Sequence, residues 1–171
     1  MVFLIWIKPP VLRILLFLAL WPGLSAFAAP EIGAPAPALR GTLFSGEEFD
    51  LTRMRGQVVL VNYFSSYCKH CAYEIGNVET FLEQNRDRGF VVIVIGVDQP
   101  EDRGRVERMV GLYNLKGIMI QDLAENGFGT GYRTPTAFVV DRKGILRSMQ
   151  WGGKTPPYFR DLVVPVLAEP N

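Results

Sequence analysis

The sequence predicts an α/β sandwich built on a mixed sheet, and three observations predict it. Two continuous runs of β-branched and aromatic residues, Val58 to Phe64 (VVLVNYF) and Phe90 to Val97 (FVVIVIGV), have the composition of strands buried on both faces. Segments whose apolar residues recur at helical spacing follow each of them. Farther on, Thr136 to Val140 and Ile145 to Trp151 flank a polar connection, Asp141-Arg142-Lys143-Gly144, that reads as an antiparallel hairpin. Strands first separated by helices and then paired in a hairpin give one sheet a parallel and an antiparallel portion.

At the amino terminus, Lys8 and Arg13 precede the apolar run Ile14 to Trp21, a Pro22-Gly23 break and Ala26-Phe27-Ala28. That order reads as a signal peptide cleaved between Ala28 and Ala29, with periplasmic export. An inner-membrane anchor facing the periplasm is the rival, since Val2 to Ile7 are apolar too. Lys8, Pro9, Pro10 and Arg13 interrupt that segment, however, and the remaining run falls short of the roughly 20 residues of a spanning helix. Residues 1–28 are therefore expected to be a leader and residues 29–171 one domain, without internal repeats. Apolar residues make up 49% of the chain, a globular share. The formal net charge is +1, and without Lys8 and Arg13 it becomes −1, which argues against nucleic acid as a partner. No Cys lies near Ala26 to Ala29 to take a lipid, and export places both cysteines in an oxidising compartment.

Ala29 to Leu39 is rich in Ala and Pro, so an extended lead-in is expected: Pro30, Pro35 and Pro37 remove backbone donors and restrict their neighbours. Thr42 to Phe49 holds a Ser45-Gly46 turn signal between short apolar stretches and predicts a hairpin. From Cys71 to Arg88, Ile75, Val78, Phe81 and Leu82 share a helical face, and Gly89 marks the end. Glu101 to Leu115 places Val106, Met109, Val110 and Leu112 to Tyr113 on one face of a second helix. A short strand is expected around Gly117 to Ile120, and Pro157 to Leu167 reads as a closing helix that Pro165 limits or kinks.

Cys68-Lys69-His70-Cys71 falls between the first buried strand and the first helix, which puts Cys68 at or just before the helix amino terminus. Unpaired N–H groups and the helix dipole stabilise a thiolate there. Cationic Lys69 or His70 adds to this, lowering the thiol pKa from its free value of about 8.5. A Cys68 thiolate would attack a partner disulfide, and Cys71, one turn on, would resolve the mixed disulfide. Two structural readings compete. A disulfide closing so short a loop contributes little stability, and closed zinc sites normally take four ligands, where the chain has two Cys and one His. The strand–CxxC–helix context and export favour redox chemistry.

Residues 58 to 74 (VVLVNYFSSYCKHCAYE), Thr134-Pro135-Thr136 and Phe138 to Gly144 (FVVDRKG) together resemble the thioredoxin superfamily, specifically its exported TlpA/ResA-like branch, over most of residues 33 to 151. The resemblance implies a thioredoxin-like three-layer α/β/α sandwich with a mixed central sheet and an N-terminal hairpin extension. It also implies a protein disulfide oxidoreductase that needs no cofactor beyond the redox-active Cys68–Cys71 disulfide. Its partners would be disulfide-containing envelope proteins such as apocytochrome c, and a membrane reductant of DsbD/CcdA type. Pro135 would be cis beside the cysteines, with Thr134 offering backbone hydrogen bonds to an extended substrate. Without the resemblance, a trans proline opening a strand would be the ordinary expectation. Glu74 matches a glutamate this branch places near the cysteines, where a raised pKa would let it pass a proton to or from Cys71. Position alone allows a first-turn Glu favoured merely by the helix dipole. Asn62 stands where thioredoxins proper have a buried Asp, and is either part of the site or an amide satisfied by backbone groups.

Several positions depart from the pattern. Phe64 and Tyr67 replace the usual tryptophans, Gly76 stands where a helix-kinking Pro is common, and His70 replaces the frequent Pro before the second Cys. A His there also occurs in DsbA-like oxidants, and a cation beside Cys68 makes the disulfide a better oxidant. A DsbA-like oxidant is therefore the alternative to a reductant. The oxidants carry a large helical insertion, for which the 143 residues beyond the leader (171 less 28) leave no room. A copper-binding thiol module using Cys68, Cys71 and His70 is the remaining alternative, although copper carriers of this fold use CxxxC and a distant His.

Overall fold

The computed structural model describes residues 30–170, so the leader expected over residues 1–28 lies outside the described part. In chain order the elements are β1 (Leu39–Thr42), β2 (Glu48–Asp50), β3 (Val58–Phe64), α1 (Lys69–Asn85), β4 (Phe90–Gly96), α2 (Arg103–Leu112), β5 (Lys116–Met119), β6 (Leu123–Asn126), β7 (Thr136–Val140) and β8 (Leu146–Trp151). The chain closes with α3 (Pro156–Tyr158), a π-helical turn (Phe159–Val163) and α4 (Val164–Ala168). A five-stranded sheet in the order β5-β4-β3-β7-β8 holds the core. β3, β4 and β5 run parallel, while β7 pairs antiparallel with both β3 and β8. This is the mixed sheet expected of a thioredoxin-like fold, and all seven residues of its central strand β3 are buried.

The crossovers from β3 to β4 and from β4 to β5 step in the same direction across the sheet. Right-handed crossovers taken in one direction put both helices on one face. Accordingly α1, α2 and the closing helical segment share an apolar layer with Val58, Leu60, Val92 and Val94. The opposite face, with Val59, Val61, Ile93 and Ile95, is covered by Leu39, Leu43, Phe49, Leu51 and Phe128. Most of these come from the amino-terminal hairpin β1-β2, which β6 extends to a three-stranded sheet, and from the 3-10 turn Leu51–Met54. Among the described residues the third layer is thus formed by the hairpin extension, where the α/β/α sandwich implied by the resemblance has a second helical layer, because both crossovers leave their helices on one face.

Three details differ from the sequence expectations. Leu112 is 79% exposed, because the helix buries Val106 and Val110, with Met109 and Tyr113 partly buried beside them, and residue 112 falls well around the helix from that face. β6 carries no apolar alternation; it is a strand because its backbone pairs with β1, Leu39 facing Asn126 and Arg40 facing Glu125. The kink expected at Pro165 takes the form of the π turn just before it, which accommodates the backbone N–H that proline lacks.

Gly76, at the position where a proline was the usual residue, sits inside a straightforward helix. A Cβ added there would meet only the Tyr113 ring at 3.7 Å, an ordinary contact. Glycine in a helix interior is less favourable than alanine by up to about 1 kcal/mol. Gly76→Ala is therefore expected to raise the unfolding free energy by about 0.5–1 kcal/mol, read from a higher urea midpoint at unchanged slope. A lower midpoint would mean that the helix needs the glycine.

Candidate active site

β3 delivers the chain at its carboxyl end into the turn Ser65 to Tyr67. Buried Asp98, just beyond β4, fixes this turn: its carboxylate accepts hydrogen bonds from the Ser66 N–H at 3.0 Å and the Ser66 hydroxyl at 2.6 Å. Cys68 then caps α1 with extended backbone (φ −85°, ψ 110°), and its Sγ accepts the Cys71 N–H at 3.2 Å. The helix start therefore directs an N–H donor at that sulfur, as the sequence spacing implies. Cys68 and Cys71 are joined as a disulfide, their Cα atoms 5.2 Å apart. Cys71 is fully buried, Cys68 is partly exposed, and Lys69 and His70 between them face solvent.

The Thr134–Pro135 peptide bond is cis, and the Thr134 carbonyl oxygen lies 3.7 Å from Cys68 Sγ. The Pro135 carbonyl is used within the hairpin, accepting the Gly152 N–H at 2.9 Å. Two segments far apart in sequence thus meet at the Cys68 sulfur.

Glu74 is completely buried, so the reading of it as a solvated first-turn carboxylate does not hold. Its Oε1 accepts from Asn62 Nδ2 at 3.1 Å, and its Oε2 accepts from the backbone N–H of Lys154 at 2.8 Å. The ammonium of Lys154 lies 3.7 Å from the same Oε2, and both side chains are essentially shielded from solvent. Asn62 is therefore not satisfied by backbone groups. It donates to Glu74, and its own Oδ1 has no partner among the described residues. Burial pushes the Glu74 carboxyl above the usual carboxylate range, against the pull of Lys154 and of these hydrogen bonds. Burial likewise pushes the Lys154 ammonium down, to about 8, while Glu74 opposes the shift.

Lys154 was not singled out in the sequence. Its Nζ also donates to the Gly152 carbonyl at 2.5 Å and lies 3.5 Å from the carbonyl oxygens of Pro135 and Gln150. Asn77, on the same helix as Glu74, holds the Lys154 carbonyl at 3.1 Å. One residue thereby ties the buried carboxylate to the loop carrying the cis-proline. The only signal available was Gly-Gly before Lys154, which allows close backbone approach without specifying what approaches. Among the described residues, no three His, Cys, Asp or Glu side chains converge to hold a metal ion.

Comparison with known proteins agrees with this geometry. The chain is 24% identical over 157 residues to the thioredoxin-like protein YneN of Bacillus subtilis, covering 88% of this chain and 91% of that one. It is 26% identical over 130 residues to the thiol-disulfide oxidoreductase ResA of Geobacillus thermodenitrificans, covering 74% and 73%. A thiol:disulfide interchange protein of the thioredoxin family from Chlorobium tepidum superimposes with a TM-score of 0.67 at 24% identity, over 81% of this chain and 99% of that one, which establishes the likeness of fold. Residues 32–149, well over half the chain and including both cysteines, match the AhpC/TSA family. The chain therefore belongs to the AhpC/TSA family and, through its Cys68–Cys71 disulfide, to the thioredoxin-like thiol–disulfide oxidoreductases.

Proposed function

We propose that the protein is an exported dithiol reductant of protein disulfides, in which Cys68 attacks, Cys71 resolves and Glu74 carries the proton. The observation behind this is the division of labour between the sulfurs. Cys68 meets solvent at the helix cap beside Thr134, whereas Cys71 is buried three residues before the buried Glu74. In the first step the Cys68 thiolate forms a bond to one sulfur of the partner disulfide, and the other partner sulfur leaves as a thiolate and takes a proton from solvent. In the second, Cys71 passes its proton to the Glu74 carboxylate and attacks Cys68 Sγ, which expels the remaining partner sulfur. Two electrons move from the dithiol to the partner, and the protein ends as the Cys68–Cys71 disulfide.

The buried contacts around Glu74 suit both of its protonation states. As a carboxylate it has the Lys154 ammonium and two N–H donors. As an acid it can donate to Asn62 once that amide turns its unpartnered Oδ1 toward it. Lys154 is a positioning residue in this scheme, since it touches Glu74 and the Pro135 carbonyl rather than either sulfur.

The leader-like residues 1–28 support a periplasmic location, by cleavage or by anchorage, with envelope proteins such as apocytochrome c as substrates and a membrane reductant of DsbD/CcdA type as electron donor. Among the described residues no helix is long and apolar enough to cross a membrane. The oxidant reading keeps one observation in its favour, the exposure of Lys69 and His70 beside Cys68. The test is electron stoichiometry. Reduced wild-type protein should convert one protein disulfide to two thiols per molecule, and Cys71→Ser should stall as a mixed disulfide through Cys68. Reduced protein that transfers no electrons to protein disulfides would remove the proposal.

A further inference from the structure

Two exposed arginines flank the Cys68 sulfur, each lying over an exposed aromatic ring. On one side Arg105 sits 4.3 Å from the ring centre of Tyr67, the residue before Cys68. On the other, Arg133, the residue before Thr134, sits 5.3 Å from the ring of Trp151. Tyr67 and Trp151 are 61% and 58% exposed, so neither ring belongs to the core. Lys69 adds a third exposed cation. Among the described residues none of the three cations has a carboxylate within salt-bridge distance. The nearby carboxylates Asp98 and Asp102 keep their charge while accepting from the Ser66 hydroxyl and, at 2.7 Å, from the Tyr67 hydroxyl, and both lie beyond salt-bridge distance of the three cations. This concentration of positive charge is not a by-product of a basic chain, because beyond residue 28 there are 16 Lys and Arg (18 less Lys8 and Arg13) against 17 Asp and Glu.

We propose that this face is a docking surface for an acidic, extended, disulfide-bearing segment of a partner protein. The proposal rests on Cys68 being the attacking thiol and adds the substrate class. A guanidinium over a ring is already ordered; apart from the Arg105 Nη2–H that reaches the Ser66 carbonyl at 3.5 Å, the edge N–H donors are left to grip a carboxylate, so little further freedom is lost on binding. Arg105 belongs to α2, packed on the β4–β5 side of the sheet, and Arg133 lies over Trp151 of β8 at the other edge, so they meet carboxylates on either side of the partner's cysteine. The two rings supply apolar surface to the side chains between. Charge complementarity of this kind acts mainly by raising the association rate and rejecting basic partners.

The experiment gives reduced wild-type protein two synthetic peptides of equal length, each with one disulfide, carrying either glutamates or lysines next to the cysteines. At low ionic strength the glutamate peptide should be reduced at least about tenfold faster, and about 0.5 M salt should collapse that advantage to less than about threefold. The double variant Arg105→Gln, Arg133→Gln should show the same collapse at low salt. Equal peptide rates in the wild type, a faster lysine peptide, or a preference that survives in the double variant would each overturn the docking surface. Reduction of 2-hydroxyethyl disulfide, small and uncharged, reports Cys68–Cys71 chemistry separately. Its absence would count against the exchange reading, whereas its presence with equal peptide rates counts against the docking surface alone.

Discussion

Cys68→Ser is expected to lower disulfide exchange by about three orders of magnitude or more, to the uncatalysed background, because no other thiol reaches the surface at the site. Cys71 cannot substitute: it is fully buried, and the helix that Cys68 caps covers it. The two thiols should also differ sharply in the reduced protein. Cys68 has the helix-start N–H of Cys71 at its sulfur and solvent on its other side, so its thiolate is both stabilised and accessible. Brief alkylation followed by peptide mass analysis should therefore find the label on Cys68. Preferential labelling of Cys71, or exchange activity retained in Cys68→Ser, would reverse the roles.

The second large effect belongs to the Glu74–Lys154 pair. Glu74→Gln keeps the shape and removes the titrating proton, so exchange at neutral pH should slow by about 100-fold, the lower end of what general acid–base catalysis contributes. In the wild type the rate should rise with pH as Glu74 loses its proton, above the ordinary glutamate range since burial raises its pKa, and the amide variant should lack that limb. Lys154→Met removes the cation that holds Glu74 ionised, so the same limb should move to higher pH. The consequence for stability has a definite sign. With its folded pKa raised further above the unfolded value, Glu74 retains its stabilising contribution in acid and loses it as pH rises toward the folded value. The deficit of Lys154→Met against wild type should accordingly be small near pH 5 and grow toward about 3 kcal/mol, the scale on which a buried charge left without its partner is felt, as the pH approaches about 8, where Lys154 still carries its charge. A pH-independent deficit with an unmoved rate profile would reduce Lys154 to a packing residue.

Most of the scaffold was legible because its strands announce themselves. VVLVNYF and the FVVIVIG of β4 are strands to within a residue of the expected limits, and Gly89 in the left-handed region (φ 74°) ends the first helical stretch where expected. The Cys68 cap followed from the junction of strand and helix. β6 escaped, since its four residues are a strand through backbone pairing with β1, which no side-chain pattern encodes. Lys154 escaped for a different reason. A lysine after a strand reads as solvated surface, and only the approach of β8's end to α1, 80 residues apart in sequence at the Glu74 contact, buries it. The environment of Asn62 was likewise a matter of tertiary approach, since its partner lies on the next element rather than on its own strand.

Whether electrons leave this dithiol for partner disulfides is decided by the reduction potential of the Cys68–Cys71 pair, obtained by equilibrating the protein with glutathione buffers and quantifying reduced and oxidised forms. Lys69 and His70 stand exposed beside the Cys68 sulfur and favour the reduced thiolate, which raises the potential; about 30 mV corresponds to 1.4 kcal/mol for this couple. This tuning is expected to stay modest, with a value nearer that of thioredoxin, about −270 mV, than that of DsbA, about −120 mV. A potential above roughly −180 mV would contradict it and make the protein an oxidant.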